Sequence, residues 1–199
     1  LGVHTELLSD ALIDLVERGV VTGTRKRLAP GKVVTTFALG TQVLYDFLHE
    51  NPAVEFLPVD YVNDPRVIAE EDCFVSINAT TEVDLVGQCA SETVNGRYWS
   101  SSGGQADFAR GAMYSPRGIA FVVLPSTAAG DTISRIRATL TPGSMVTTLK
   151  NTVDHIVTEY GVADMRGHSI SERAASLIKI AHPRFRDQLT AEGRAIGYL

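Results

Sequence analysis

Residues 32–59 read KVVTTFALGTQVLYDFLHENPAVEFLPV, and this stretch decides the fold. Its first part, 32–39, is rich in β-branched residues, which pack well on a pleated sheet and lose side-chain freedom in a helix. Gly40-Thr41 then turns the chain into an amphipathic run of helical period over 42–49. Asn51-Pro52 ends that run, because the residue before a proline is pushed out of the α region. A second strand is predicted over 54–59, followed by a loop at 60–63. A short helix comes next, with Asp64 as its N-cap and Pro65 as its first residue. Strands that alternate with short helices imply a parallel sheet. The expected fold class is therefore α/β, an open and mostly parallel sheet with flanking helices.

On the N-terminal side, Leu7, Leu8, Ala11, Leu12, Leu15 and Val16 recur at helical spacing. They predict a helix over 6–18, with Thr5 as N-cap and Gly19 as its stop. Beyond Cys73, the runs 74–78 and 83–89 read as two strands of an antiparallel hairpin region, and Asn95-Gly96 follows as a strong turn dipeptide. Gly103-Gly104 opens a short helix over 105–111. The apolar run IAFVVL at 119–124 reads as a central strand buried on both faces. Further strands are predicted at 145–149 and 155–158, and a helix at 171–180 with Ser171 as cap. His182-Pro183 breaks it, and a last helical stretch follows.

The chain has 199 residues, 44% of them hydrophobic and 21% charged, which fits one compact globular domain with a sizeable core. A formal net charge of −5 argues against a nucleic-acid partner, and Arg25-Lys26-Arg27 is too short for a polybasic arm and reads as a solvated turn. No window approaches the ~18 consecutive apolar residues of a membrane span. The start, LGVHTELLSD, has neither a basic stretch nor a cleavage site. A cytoplasmic location is expected, as is a chain cut from something longer. Cys73 and Cys89 lack CxxC spacing and read as buried free thiols. The five histidines, at 4, 49, 155, 168 and 182, lack metal-ligand spacing, so no metal is expected. His4-Thr5-Glu6 fits H-x-E, but the P-C-x-x-C of a zinc deaminase never follows. HExxH, G-x-S-x-G, Walker A and strand-linked G-x-G-x-x-G motifs are all missing.

Three features remain. Glu6 falls in the first turn of its predicted helix, where the macrodipole favours a charged carboxylate, although acidic residues in first turns are commonplace. Gly103 and Gly104 let backbone N–H groups approach a ligand closely, or else form a plain tight turn. Asn63 lies just before the Asp64-Pro65 helix start and is not needed as its cap, which frees its amide; it also reads as an ordinary turn asparagine. Together they supply a carboxylate nucleophile, backbone donors and an amide donor, the groups that acyl transfer through an anhydride and a thioester requires. Gln105, Asp107 and Arg110 stand beside the glycines and either shape a pocket or anchor the helix. Ser126 and Thr127, after the apolar strand, are candidates for ligand contact at a strand end.

The ordered blocks LGVHTELLSD, PGKVVTTFALG, VDYVNDPRVIA, SINATTEVDLVGQ, SGGQADFARGA, VVLPSTA, VTEYGVADMRG and ERAASLIKIAHPRFR resemble the acetyl-CoA hydrolase/4-hydroxybutyrate CoA-transferase family over nearly the whole chain. The resemblance implies a CoA-transferase-like fold in which residues 1–199 form the C-terminal catalytic half of a larger subunit. It implies that Glu6 of HTE is the acylated glutamate and that Asn63 of VNDP and Gly104 of SGGQ form an oxyanion hole, with Gly103, Gly104 and Gln105 facing coenzyme A. It implies a short-chain acyl-CoA and a small carboxylate as substrates, no prosthetic group, an N-terminal half as partner and a homodimer. Ser101-Ser102 stand where a glycine or apolar residue is expected. Glu159-Tyr160-Gly161 and Asp164 to Arg166 form a block read as structural. Three activities fit these residues: a transferase working through glutamyl-CoA, a hydrolase in which water resolves the same thioester, and a non-catalytic CoA-binding module.

Overall fold

Strand β1 (His4–Leu8) pairs in parallel with β2 (Val33–Ala38), and β2 pairs in parallel with β3 (Val54–Phe56). Helices α1 (Ala11–Glu17) and α2 (Gln42–Leu48) make the crossovers, and α3 (Val59–Val62) and α4 (Pro65–Ile68) follow β3. These elements belong to the first of two compact units in the computed structural model, which describes residues 1–199. The first unit comprises Leu1–Phe74 and Tyr114–Gly118, and the second Val75–Met113 and Ile119–Leu199. The first has its own core of Leu8, Ile13, Val21, Val33 and Leu44, all buried. Asp10 ties its crossovers together, because the amide and hydroxyl of Thr41 both donate to the Asp10 carboxylate, the hydroxyl at 2.6 Å. Those bonds hold Asp10 below the usual carboxylate range. Gly40 packs closely beside them, and a Cβ there would force that carboxylate and the Leu44 side chain to shift.

The helix expected over 6–18 is half strand. Residues 4–8 take the edge of the sheet beside β2, with His4 opposite Val34 and Leu8 opposite Ala38, and only 11–17 are helical, with Asp10 rather than Thr5 at the N-cap. Gly19 does stop the helix, at φ +69°. The predicted strand and helix at 32–49 form as expected, but β3 stops at Phe56 instead of 59, and Val59–Val62 is helical where a loop was expected at 60–63. Asp64 caps α4 by accepting a hydrogen bond from the Arg66 amide at 2.8 Å. The basic cluster is a solvated turn at Arg25 and Arg27, which are exposed, but not at Lys26, which is half-buried and donates to the carbonyls of Val3 and Lys32, each at 3.0 Å; the Arg27 and Leu28 amides donate to Glu71.

In the second unit, β4 (Val75–Ala79) begins the chain's path. Next come β5 (Glu82–Asp84), β6 (Cys89–Ala90), β7 (Thr93–Val94), β8 (Arg97–Tyr98), α5 (Gln105–Tyr114) and β9 (Ile119–Val123). The pairs β10 (Thr127–Ala128) with β11 (Ile133–Ser134), and β12 (Ile136–Arg137) with β5, lead to β13 (His155–Thr158) and β14 (Gly161–Asp164). Helix α6 (Ile170–Ile180), a 3₁₀ turn at Pro183–Phe185 and α7 (Arg186–Ala195) end the chain. The main sheet runs β14-β13-β9-β4, parallel except between β13 and β14. Its largest buried side chains include Leu85, Ile136, Ile156, Met165 and Leu177.

The hairpin forms elsewhere than expected. β4 pairs in parallel with β9, while the 83–89 run folds back on itself as β5 and β6. The reversal is built by the Asp84 carboxylate, which accepts from the amides of Val86 and Gln88, and by Gly87 at φ +92°. Asn95 and Gly96 both take positive φ, the requirement of the tight turn between β7 and β8. β9 is buried on one face only: Ala120 and Val122 are buried, while Ile119 is 38% exposed. Residues 145–149 form no strand; their backbone pairs at one isolated bridge, Cys89–Thr148. The cap of α6 is Ser169 rather than Ser171, because Glu172 stands three residues beyond it and completes a capping box. Cys89 is buried, and its burial pushes the thiol up, whereas Cys73 is exposed; both are free. No helix is long and apolar enough to cross a membrane.

Candidate active site

Glu6 is the middle residue of β1, so the expected support from a helix macrodipole does not apply to it. Thr5 is no cap; its hydroxyl donates to the Leu7 carbonyl at 3.0 Å. Alternation along a strand puts His4 and Glu6 on one face. The backbone of Glu6 faces the next strand, where the fully buried Thr35 shares its hydroxyl proton between the carbonyl oxygens of Glu6, at 3.0 Å, and Phe37, at 2.9 Å. The side chain is held by Asn63, whose Nδ2 donates to Glu6 Oε2 at 2.5 Å. Asn63 is the C-cap residue of α3, and since Asp64 does the capping of α4, its amide is free for Glu6. The structure thus brings together two candidate residues that stand 57 positions apart. Asn63 Oδ1 is buried with no hydrogen-bond partner.

A third residue of this cluster was not singled out in the sequence. His4 is 7% exposed, and its Nε2 lies 2.7 Å from the Val62 carbonyl oxygen. A carbonyl only accepts, so Nε2 carries the proton and donates. Burial lowers the imidazole's pKa, partly opposed by that hydrogen bond and assisted by the nearby Lys26 charge. In the sequence His4 stands out only as half of an H-x-E metal motif. The legible signal was its place two residues before Glu6 on a strand.

Gly103, Gly104 and Gln105 belong to the second unit. Gly103 takes φ +53°, a conformation that favours glycine. Gly104 is buried, and its carbonyl accepts the first bond of α5 from the Phe108 amide at 2.9 Å. Gln105 is 6% exposed; its Oε1 accepts from the Ser91 hydroxyl at 2.6 Å, while its Nε2 has no partner. Asp107 is half-buried in the first turn of α5, and Arg110 is exposed. Ser126 is not placed for ligand contact. It is fully buried and donates both amide and hydroxyl to Glu159, the hydroxyl at 2.5 Å. Thr127 donates to Asp131. The structural reading of the 159–166 block fits these bonds and the Arg166–Asp154 ion pair at 3.2 Å.

Residues 40–193 match the acetyl-CoA hydrolase/transferase C-terminal domain. The chain is 55% identical over 194 residues, 98% of its length, to the succinyl-CoA:cyclohexane-1-carboxylate CoA transferase of Geobacter metallireducens, and covers 44% of that protein. The crystal structure of RipA from Yersinia pestis superimposes with a TM-score of 0.95 at 48% identity, covering 100% of this chain and 45% of that one. The 4-hydroxybutyrate CoA-transferase of Porphyromonas gingivalis gives a TM-score of 0.83 at 43% identity, covering 98% of this chain and 46% of that one. The chain therefore spans less than half the length of these relatives.

Proposed function

Because the chain belongs to the acetyl-CoA hydrolase/transferase family, we propose that it supplies the nucleophile of a CoA-transferase and that Glu6 carries CoA as a thioester during turnover. The observation that carries this reading is the bond from Asn63 Nδ2 to Glu6 Oε2. One carboxylate oxygen is engaged by an amide donor, which leaves Oε1 for attack. In the first step Oε1 adds to the thioester carbonyl carbon of a short-chain acyl-CoA. The tetrahedral oxyanion collapses, the C–S bond breaks, and CoA leaves as thiolate from an acyl-glutamyl anhydride.

The thiolate then adds to the carbon of the Glu6 carboxyl group. Negative charge returns to Oε2, the atom Asn63 already addresses, before the acyl carboxylate departs and glutamyl-CoA remains. An acceptor carboxylate of the acetate or 4-hydroxybutyrate kind runs the sequence backward. Donors aimed at the developing oxyanion stabilise it without reorganisation, each worth about 3 to 4 kcal/mol. The second-donor role of Gly104, and contact of Gly103 and Gln105 with CoA, belong to the same proposal and rest on the resemblance of SGGQ alone. A hydrolase reading is supported by the acetyl-CoA hydrolases among the relatives, 30% identical in Yarrowia lipolytica; there, water would resolve glutamyl-CoA, and CoA release independent of added acetate would mark it.

The test uses the full-length protein that contains this chain. Incubation with acyl-CoA followed by borohydride or hydroxylamine should modify Glu6, and Glu6→Gln should abolish both the modification and exchange. Modification of a different residue, with Glu6→Gln still active, would sink the proposal. The isolated 199 residues are expected to turn over little, since they span less than half of their relatives.

A further inference from the structure

The two hydrogen bonds that join β1 to the end of α3 are adjacent at both ends. His4 and Glu6 alternate onto one face of the strand, and their partners, Val62 and Asn63, are consecutive. α3 has only four residues, and helices that short have no stability of their own. Its last turn must be fixed from outside. Val62 is fully buried, and its carbonyl is the one the His4 ring addresses. We infer that His4 is a positioning residue: by donating from Nε2 to the Val62 carbonyl it sets the height and rotation of the Asn63 side chain against the Glu6 carboxylate. The inference rests on the roles proposed above for Glu6 and Asn63. His4 touches no reacting atom in this scheme and acts only through the peptide that precedes Asn63.

The alternative for a buried histidine is plain packing, and here it would mean the edge-on contact with the Phe74 ring, 6.3 Å between centroids. The two roles separate by substitution. His4→Phe keeps a flat ring against Phe74 and loses the donor, whereas His4→Gln keeps an N–H at similar reach and loses the ring. A misplacement of about 1 Å at a reacting group costs on the order of 10²-fold in rate. His4→Phe should therefore lower kcat by about 10- to 100-fold, with KM for acyl-CoA little changed, while His4→Gln stays within about threefold of the parent by the same reasoning.

The decisive readout does not need turnover. In the full-length protein with ¹⁵N-labelled asparagine, the Asn63 side-chain NH₂ signals, assigned by their loss in Asn63→Ala, should move in His4→Phe toward their positions in Glu6→Ala and stay in place in His4→Gln. If His4→Phe does not fold, His4→Asn takes its part, being polar but too short to reach the carbonyl. Asn63 signals unmoved in the donor-lacking variant, or moved equally in His4→Gln, would overturn the positioning role. Signals that behave as expected in a protein whose exchange survives Glu6→Gln would support it and defeat the catalytic reading instead.

Discussion

Replacing Asn63 with alanine should separate catalysis from stability by a wide margin. The bond lost is a charge-assisted one, from Nδ2 to Glu6 Oε2 at 2.5 Å, and such bonds contribute about 1.5 to 3 kcal/mol to folding. The same substitution also removes Oδ1, which is buried without a partner and costs about 1 to 3 kcal/mol of desolvation as it stands. The two nearly offset each other. Net destabilisation should therefore be no more than about 1 to 2 kcal/mol, a drop of a few degrees in Tm. Under the proposed mechanism catalysis has no such compensation, because there the donor at Oε2 matters most when thiolate attack returns charge to that atom. Glutamyl-CoA should accumulate about 10²- to 10³-fold more slowly, the usual consequence of deleting one oxyanion donor. Quenched-flow trapping of the adduct, with calorimetry on the same full-length sample, measures both. An Asn63→Ala protein that forms the adduct at more than about a tenth of the parent rate would refute the reasoning. So would one that loses its rate only because it has unfolded.

Ser126→Ala should destabilise the second unit by about 1 kcal/mol at neutral pH with little direct effect on adduct formation. Desolvation of Glu159 works against its ionisation, but the Ser126 hydroxyl and amide, together with its own backbone amide and the nearby His182, outweigh it and hold its pKa below the usual value. The resulting stability is present above the unfolded pKa and lost as pH falls through the folded one, so the Tm gap between parent and variant should close in acid. Gly40→Ala should destabilise by pushing the Asp10 carboxylate off Thr41, and in an Asp10→Ala background the same change should cost measurably less; additive losses in denaturant titrations would count against the clamp. Ser169→Ala removes the capping box of α6 and should cost about 1 kcal/mol, whereas Ser171→Ala should be near neutral; calorimetry that ranks them the other way would contradict the cap assignment.

Local chemistry accounts for what was legible. The β-branched run before Gly40, Asn51-Pro52, Asp64-Pro65 and Asn95-Gly96 each restrict φ and ψ by themselves, and each produced the element expected of it. The errors fall where a distant partner decides. Leu7 and Leu8 continue the period of the helix behind them, yet they are strand because β2, beginning at Val33, offers a row of unpaired backbone groups. Residues 145–149 look like a strand, but one bridge to Cys89 is all the pairing they find. Ser169 was a different kind of miss: Glu172, three residues on, signalled the cap in the sequence itself. The site divides along the same line. Its residue types were readable, but the meeting of Glu6 with Asn63 across 57 positions was implied only by the family resemblance and not by the residues themselves, and the part of His4 depended on knowing that residues 4 to 8 are extended.

The strand conformation of residues 4–8 changes the surroundings in which Glu6 would act in the proposed reaction. At a helix N-terminus, Glu6 would face several N–H groups at once, which stabilise a carboxylate and blunt its attack. On β1 its backbone is fixed by the ladder to β2 and by the Thr35 hydroxyl, while its carboxylate meets one asparagine donor at one oxygen. A rigid backbone with a half-buried side chain suits the role proposed for Glu6, a weak nucleophile attacking a thioester. Precision then has to come from the few groups that set the donor, and these are the short α3, the buried Val62 and the His4 ring beneath it. Rate should accordingly be more sensitive than stability to substitutions along β1 and α3, a pattern a helix-capped glutamate would not produce.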